Sequence, residues 1–170
     1  ESSGVDTTHP EYGKNMFKNY LGNGSVNKSF IYKGWHFLLL DGISFTEDRR
    51  YFGFIDDEQM EWIKSELEKI NKETPIVLST HLPFSSVGLQ MLDKSTAPLT
   101  GGLVVTNSKE VLDLFANHNL KLVLQGHLHI LEEIIFRNTH FITGGSVSGA
   151  WWEGPRYDFE EGFVLLEFYD

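Results

Sequence analysis

Val77-Leu78-Ser79-Thr80-His81-Leu82-Pro83 and Leu122-Val123-Leu124-Gln125-Gly126-His127-Leu128-His129 share one construction, a short apolar run that ends in histidine. Such runs, four to six residues long and rich in branched side chains, read as buried strands. Each follows a helical pattern. Asp56-Asp57-Glu58 precedes Met60, Ile63, Leu67 and Ile70, whose 3-4-3 spacing puts four apolar side chains on one helical stripe, with the acids favouring the N-terminal end. Thr74-Pro75 ends that helix and the first strand follows. Asn107 with Glu110 resembles a capping arrangement ahead of Val111, Leu112, Leu114 and Phe115, and the apolar residues 121–124 come next. A helix-then-strand unit used twice predicts an α/β or mixed α+β domain with one sheet system.

On the N-terminal side, residues 29–32 and 35–40 are dense in aromatic and aliphatic side chains, and Lys33-Gly34 between them reads as a hairpin turn. The first thirty residues are rich in Gly, Asn, Ser and Thr, and their cluster at Met16, Phe17 and Tyr20 supports one or two helical turns. On the C-terminal side, residues 130–136, 140–143 and 163–168 read as three further strands, an antiparallel or mixed finish to the sheet. Residues 85–106 form a long loop of mixed composition, and long loops inside a compact domain are often functional. There is no repeat, low-complexity tract or interdomain linker.

The 170 residues carry 41% hydrophobic side chains, enough for one domain with its own core. The formal charge of -10 would repel a polyphosphate backbone, which argues against a nucleic-acid polymer as partner. No apolar run approaches the length of a membrane-spanning helix. Cysteine is missing, so any metal site must be built from His, Asp and Glu, and either redox compartment is compatible. The chain opens Glu1-Ser2-Ser3-Gly4 with no initiator Met or signal-like segment. It reads as a fragment or processed product, and the sequence assigns it no compartment.

In α/β sheets, sites assemble in the loops beyond strand C-termini. Loops from two neighbouring strands would bring His81, His127 and His129 together. His127 and His129 are two apart, so extended backbone would aim both rings to one side, and Gly126 permits a sharp turn beside them. A single histidine beside a strand is usually a hydrogen-bonded structural or surface residue, and His9, His36, His118 and His140 belong there. The trio is different, because all three sit just past apolar strands and one pair has ligand spacing.

Thr80-His81-Leu82-Pro83 and Gly126-His127-Leu128-His129, separated by a helix and a strand, resemble the last two motif blocks of the calcineurin-like metallophosphoesterases. Phe37-Leu38-Leu39-Leu40-Asp41, the helix from Gln59 to Leu67, and Thr143-Gly144-Gly145-Ser146 through Trp151-Trp152 are similar to the corresponding stretches of bacterial members, including cyclic-nucleotide-phosphodiesterase-like ones. The resemblance implies that residues 1–170 are the C-terminal part of a single domain, half of a four-layer αββα sandwich of mixed sheets flanked by helices. It further implies a dinuclear centre of divalent manganese, iron or zinc, with His81 and His127 on one metal and His129 on the other. Two such metals clamp a phosphoryl group and acidify a bridging water for in-line attack on phosphomonoesters or phosphodiesters. Trp151 and Trp152 would wall the pocket of this small phosphate-ester substrate, or simply pack within a Gly-rich loop. Ser85-Ser86 and Gly101-Gly102 are candidate rim positions.

The family's earlier blocks, Asp-x-His, Gly-Asp and Gly-Asn-His-Asp/Glu, have no counterpart in the chain, unless Glu1 is the acidic end of the last. Two adjacent dications need anionic bridging ligands, and three imidazoles supply none. Asp41 past its strand reads as a structural acceptor, and Asp93 is weaker still. These residues therefore form a half-site with no catalytic residue of its own, and the chain alone is expected to be inactive. The competing readings are a mononuclear three-histidine zinc site and a non-catalytic binding or structural module. A chain lacking half of a sandwich is also expected to expose apolar surface, and to self-associate or pair with the missing half.

Overall fold

The computed structural model describes residue 6 and residues 8–169; Glu1, and with it any role in a motif, lies outside them. Helix α1 spans Asn15–Tyr20. Strands β1 (Lys28–Tyr32) and β2 (Trp35–Leu39) form the expected antiparallel hairpin, with Lys33 and Gly34 at φ 46° and 80° in its two-residue turn. A small hairpin follows, β3 (Ile43–Phe45) with β4 (Tyr51–Gly53). Then come helix α2 (Asp57–Leu67), strand β5 (Ile76–Ser79), helix α3 (Gly88–Leu92), helix α4 (Ser108–Leu114) and strand β6 (Leu120–Gln125). The last two strands are β7 (Glu132–Phe136) and β8 (Thr139–Thr143).

One six-stranded sheet in the order β1-β2-β5-β6-β8-β7 organises the chain. Its four central strands are parallel, and β1 and β7 close its edges antiparallel. β5 and β6 are neighbours, so the segments leaving their C-terminal ends emerge side by side.

The core lies on one face of this sheet. Leu38, Ile76, Leu78, Leu120, Val123 and Phe141 from the strands pack with Ile63, Leu67 and Ile70 around α2 and with Val111 and Phe115 around α4. Asp56 caps α2 by accepting from the Gln59 amide at 2.9 Å. Gln59 then locks the loop after β2, accepting from the Asp41 amide and donating to the Asp41 carbonyl.

Five expectations change. Helix α2 ends at Leu67, well short of Thr74-Pro75, and Ile70 packs into the core from the turn that follows it. Residues 163–168 form no strand; among the described residues they join no ladder, and Phe163 and Leu165 stand exposed while Phe168 packs edge-on against Trp35 and Phe37. The Asn107 side chain does not cap α4, because both of its polar atoms are spent on the backbone of Ile55. The strand read from residue 130 starts at Glu132, since Ile130 is buried in the preceding loop. The long loop after β5 contains α3. The fold is mixed α/β, and α2 and α4 cover one face of the sheet; Phe30, Tyr32, Ile135 and Phe136 on the edge strands remain exposed.

His36 on β2 is buried against Glu66, and its Nε2 lies 2.6 Å from the Ser29 hydroxyl. Burial holds its pKa below the ordinary value of 6.5, with the Glu66 carboxylate opposing in part. A depressed folded-state value means that the unfolded chain takes up the proton first as pH falls, so stability is complete above 6.5 and is lost below it. Thermal melts should show Tm falling between about pH 7.5 and pH 5.5, and His36→Gln should flatten part of that slope.

Candidate metal centre

The site grows from the register of β5 and β6. Thr80 and His81 follow β5, Gly126 and His127 follow β6, and the Gly126 amide donates to the His81 carbonyl at 2.9 Å, joining the two outgoing segments. Beneath them the buried Gln125 side chain braces three elements at once. It accepts from the Phe84 amide at 2.9 Å and donates to the Ser85 carbonyl at 2.6 Å and the Thr143 hydroxyl at 2.9 Å. Ser86, read as a rim residue, is buried and accepts from the Gly88 amide.

His127 and His129 are not in extended backbone; both have positive φ, 71° and 57°. That left-handed region is unfavourable for residues with a Cβ, and such conformations gather at functional sites. Alternation survives the change, since Leu128 and Ile130 are buried while the two histidines are half-buried. Burial of the two aliphatic side chains supplies the free energy that holds the turn.

His81 and His127 come together as expected, His81 Nε2 lying 3.2 Å from His127 Nδ1 with the ring centroids 5.1 Å apart. His127 Nε2 is 2.9 Å from the Gly102 carbonyl, which can only accept, so the proton sits on Nε2 and the Nδ1 lone pair faces His81. His129 takes another direction. Its Nδ1 donates to the Gly149 carbonyl at 2.6 Å, leaving Nε2 as the free nitrogen, and its ring lies 5.1 Å from that of Trp151. Among the described residues no group of three or more His, Asp or Glu side chains is arranged to hold a metal ion.

The His81–His127 pair fits a shared cation nonetheless. An ion about 2.0–2.1 Å from each nitrogen keeps two ligands roughly 2.9–3.4 Å apart at angles between octahedral and tetrahedral. Each ring is also prepared to be neutral. Desolvation, followed by the fields of His127 and His129, lowers the His81 pKa. Desolvation also lowers that of His127, opposed by the Gly102 carbonyl and aided by His129 and Arg156. Neutral imidazole is the form that ligates a metal.

The two acidic residues weighed from the sequence serve elsewhere. Asp41 forms an ion pair with Lys14 and accepts from the Ile43 amide at 3.2 Å, the structural acceptor role expected of it. Asp93 ends α3 as its C-cap. The Gly101-Gly102 segment, by contrast, is part of the site through its backbone: Gly101 accepts from the Gly53 amide at 2.6 Å while Gly102 accepts from His127. Only glycine serves at position 53, where a Cβ would sit 2.1 Å from the Val104 carbonyl oxygen. Tyr51 on β4 reaches the other side of His127, with its ring centroid 5.9 Å away. Trp151 and Trp152 are mostly exposed, both at positive φ. Residues that the motifs did not mark are Tyr51, the Gly102 and Gly149 carbonyls, and Arg156, whose guanidinium carbon lies 4.5 Å from the Trp151 ring centre.

A dimetal phosphatase from Danio rerio is similar in structure, with a TM-score of 0.52 at 14% identity over 76% of this chain and 52% of that one. The chain thus spans about half the length of that phosphatase, and the likeness is one of fold. No helix among the described residues is long and apolar enough to cross a membrane. No curated protein matches the sequence. The model of the calcineurin-like phosphoesterases matches residues 4–131, which take in both histidine-terminated strands, and the chain belongs to that family.

Proposed function

We propose that residues 1–170 supply the histidine side of a dinuclear metal centre in a phosphoesterase acting on small phosphate esters. The observation that carries this reading is the facing of His81 Nε2 and His127 Nδ1 at 3.2 Å, with the His127 tautomer set by the Gly102 carbonyl. His81 and His127 hold one cation, and His129, with Nε2 free, contributes to the other. When bound, the divalent metals supply a Lewis acid for the phosphoryl oxygens and a water made acidic enough to attack near neutral pH. The chain's own contribution is to present neutral imidazoles in a fixed orientation. Trp151 and Trp152 form one wall of the substrate pocket.

Bridging carboxylates come from residues outside these 170, so that this chain is the C-terminal half of a two-sheet domain. Phe30, Ile135 and Phe136 then belong to surface that pairs with the other half, or in its absence with a second copy. The test is hydrolysis of p-nitrophenyl phosphate and bis-p-nitrophenyl phosphate with manganese, paired with elemental analysis. The isolated chain is expected to be inactive, and a protein that also carries the three upstream blocks is expected to hydrolyse at least one ester and lose the activity in chelator. Inactivity of that longer protein would overturn the enzymatic reading. About one tightly held zinc per chain would point instead to a mononuclear site.

A further inference from the structure

Arg156 stands out in the loop that packs against His129. Its guanidinium carbon lies 4.5 Å from the centre of the Trp151 ring and 4.7 Å from that of Tyr157, so two aromatic faces position the cation. Trp151 is in turn 5.1 Å from His129, which places the guanidinium one ring away from a candidate ligand. Backbone bonds in both directions between Arg156 and Phe159 close the loop that carries it, and the Ala150 amide donates to the Gly154 carbonyl at 2.7 Å across the same loop.

No described carboxylate forms an ion pair with Arg156, although the chain has 24 acidic residues against 14 basic ones. Its Nε is shielded from solvent with no hydrogen-bond partner among the described residues. A buried donor of this kind is costly unless something accepts from it.

We propose that Arg156 is the anion clamp of this site, its planar fork taking two non-bridging oxygens of the substrate's phosphoryl group while Trp151 and Tyr157 hold it in place. This rests on the phosphoesterase reading, and it gives Trp151 a supporting function, leaving Trp152 as the exposed ring available to the ester's leaving group. Guanidinium suits the task because paired N–H donors match two phosphate oxygens, which an ammonium cannot do. Arg156 lies beyond residues 4–131, the part of the chain matched to the family.

The experiment compares wild type, Arg156→Gln and Arg156→Lys in the manganese-loaded protein carrying the upstream blocks. Inorganic phosphate is titrated by calorimetry, and metal content, Tm, kcat and KM are measured alongside. Arg156→Gln should weaken phosphate binding by about tenfold or more and raise KM for p-nitrophenyl phosphate, with metal content and Tm close to wild type. Arg156→Lys should restore only part of the affinity. Unchanged phosphate affinity in Arg156→Gln, with a wild type that binds metal and phosphate, would overturn the clamp and leave the phosphoesterase reading standing. A wild type that binds neither manganese nor phosphate would overturn both.

Discussion

His127→Ala is expected to strip most of the manganese from the protein that carries the upstream blocks and to lower its phosphoesterase rate by more than about a hundredfold. The reason is positional. His127 is the middle of a relay in which the Gly102 carbonyl holds Nε2–H and Nδ1 faces His81, so its loss removes a ligand and the element that orients the pair. Altering only an outer partner of a metal ligand already costs about 10–100-fold in affinity or activity, and losing the ligand should exceed that. His140→Ala is the matched control. That ring is exposed on β8, 2.7 Å from Glu133 and remote from the two outgoing segments, so metal content and rate should stay near wild type. Elemental analysis and steady-state rates read both variants. Full metal content in His127→Ala, with Tm unchanged, would favour the non-catalytic reading of the chain.

Gln125→Leu is expected to destabilise the fold by about 2–5 kcal/mol, a large share of a domain's total stability. The shapes are similar, but leucine offers no partner to the Phe84 amide, the Ser85 carbonyl or the Thr143 hydroxyl. Phe84 and Thr143 are buried, so the first and last of these groups have little recourse to water. The loss also frees the segment after His81 from β6, so metal affinity should fall together with stability. Denaturant unfolding followed by tryptophan fluorescence gives the first quantity, and equilibrium dialysis at low denaturant gives the second. A loss of well under 1 kcal/mol would mean that the bracket is not a support of the site.

The parts of the molecule that follow from local chemistry were legible in the sequence. The turn at Lys33-Gly34, the acidic start of α2 with Met60, Ile63 and Leu67 on its stripe, and the histidines just past β5 and β6 each rest on neighbours within a few positions, and each is where the pattern puts it, although α2 stops at Leu67 before Ile70. What escaped depends on distant partners. Asn107 looks like a helix cap, but its amide is taken by the backbone of Ile55, 52 residues away. Residues 163–168 have the composition of a strand, yet a strand exists only where another backbone accepts its ladder, and among the described residues none pairs with them, while Phe168 packs through its side chain on Trp35 and Phe37. The extended geometry expected at His127 and His129 yields to left-handed turns, because burying Leu128 and Ile130 outweighs the local conformational preference. Arg156 carried no motif at all; its interest comes from the rings on either side of it.

The Gly102 carbonyl that holds His127 has a bearing on how such a centre can drift over evolutionary time. A side-chain support leaves a fingerprint, since only a few residue types can provide it. A main-chain oxygen belongs to every amino acid, so the identity of residue 102 can change without altering the proton position on His127, provided that the path of the loop is kept. The constraint falls on the trace of the loop, and it is written elsewhere, at Gly53, where the neighbouring backbone leaves no room for a side chain. Substitution at the site's own support is therefore expected to be silent, while substitution nearly fifty residues earlier in the chain would be heard.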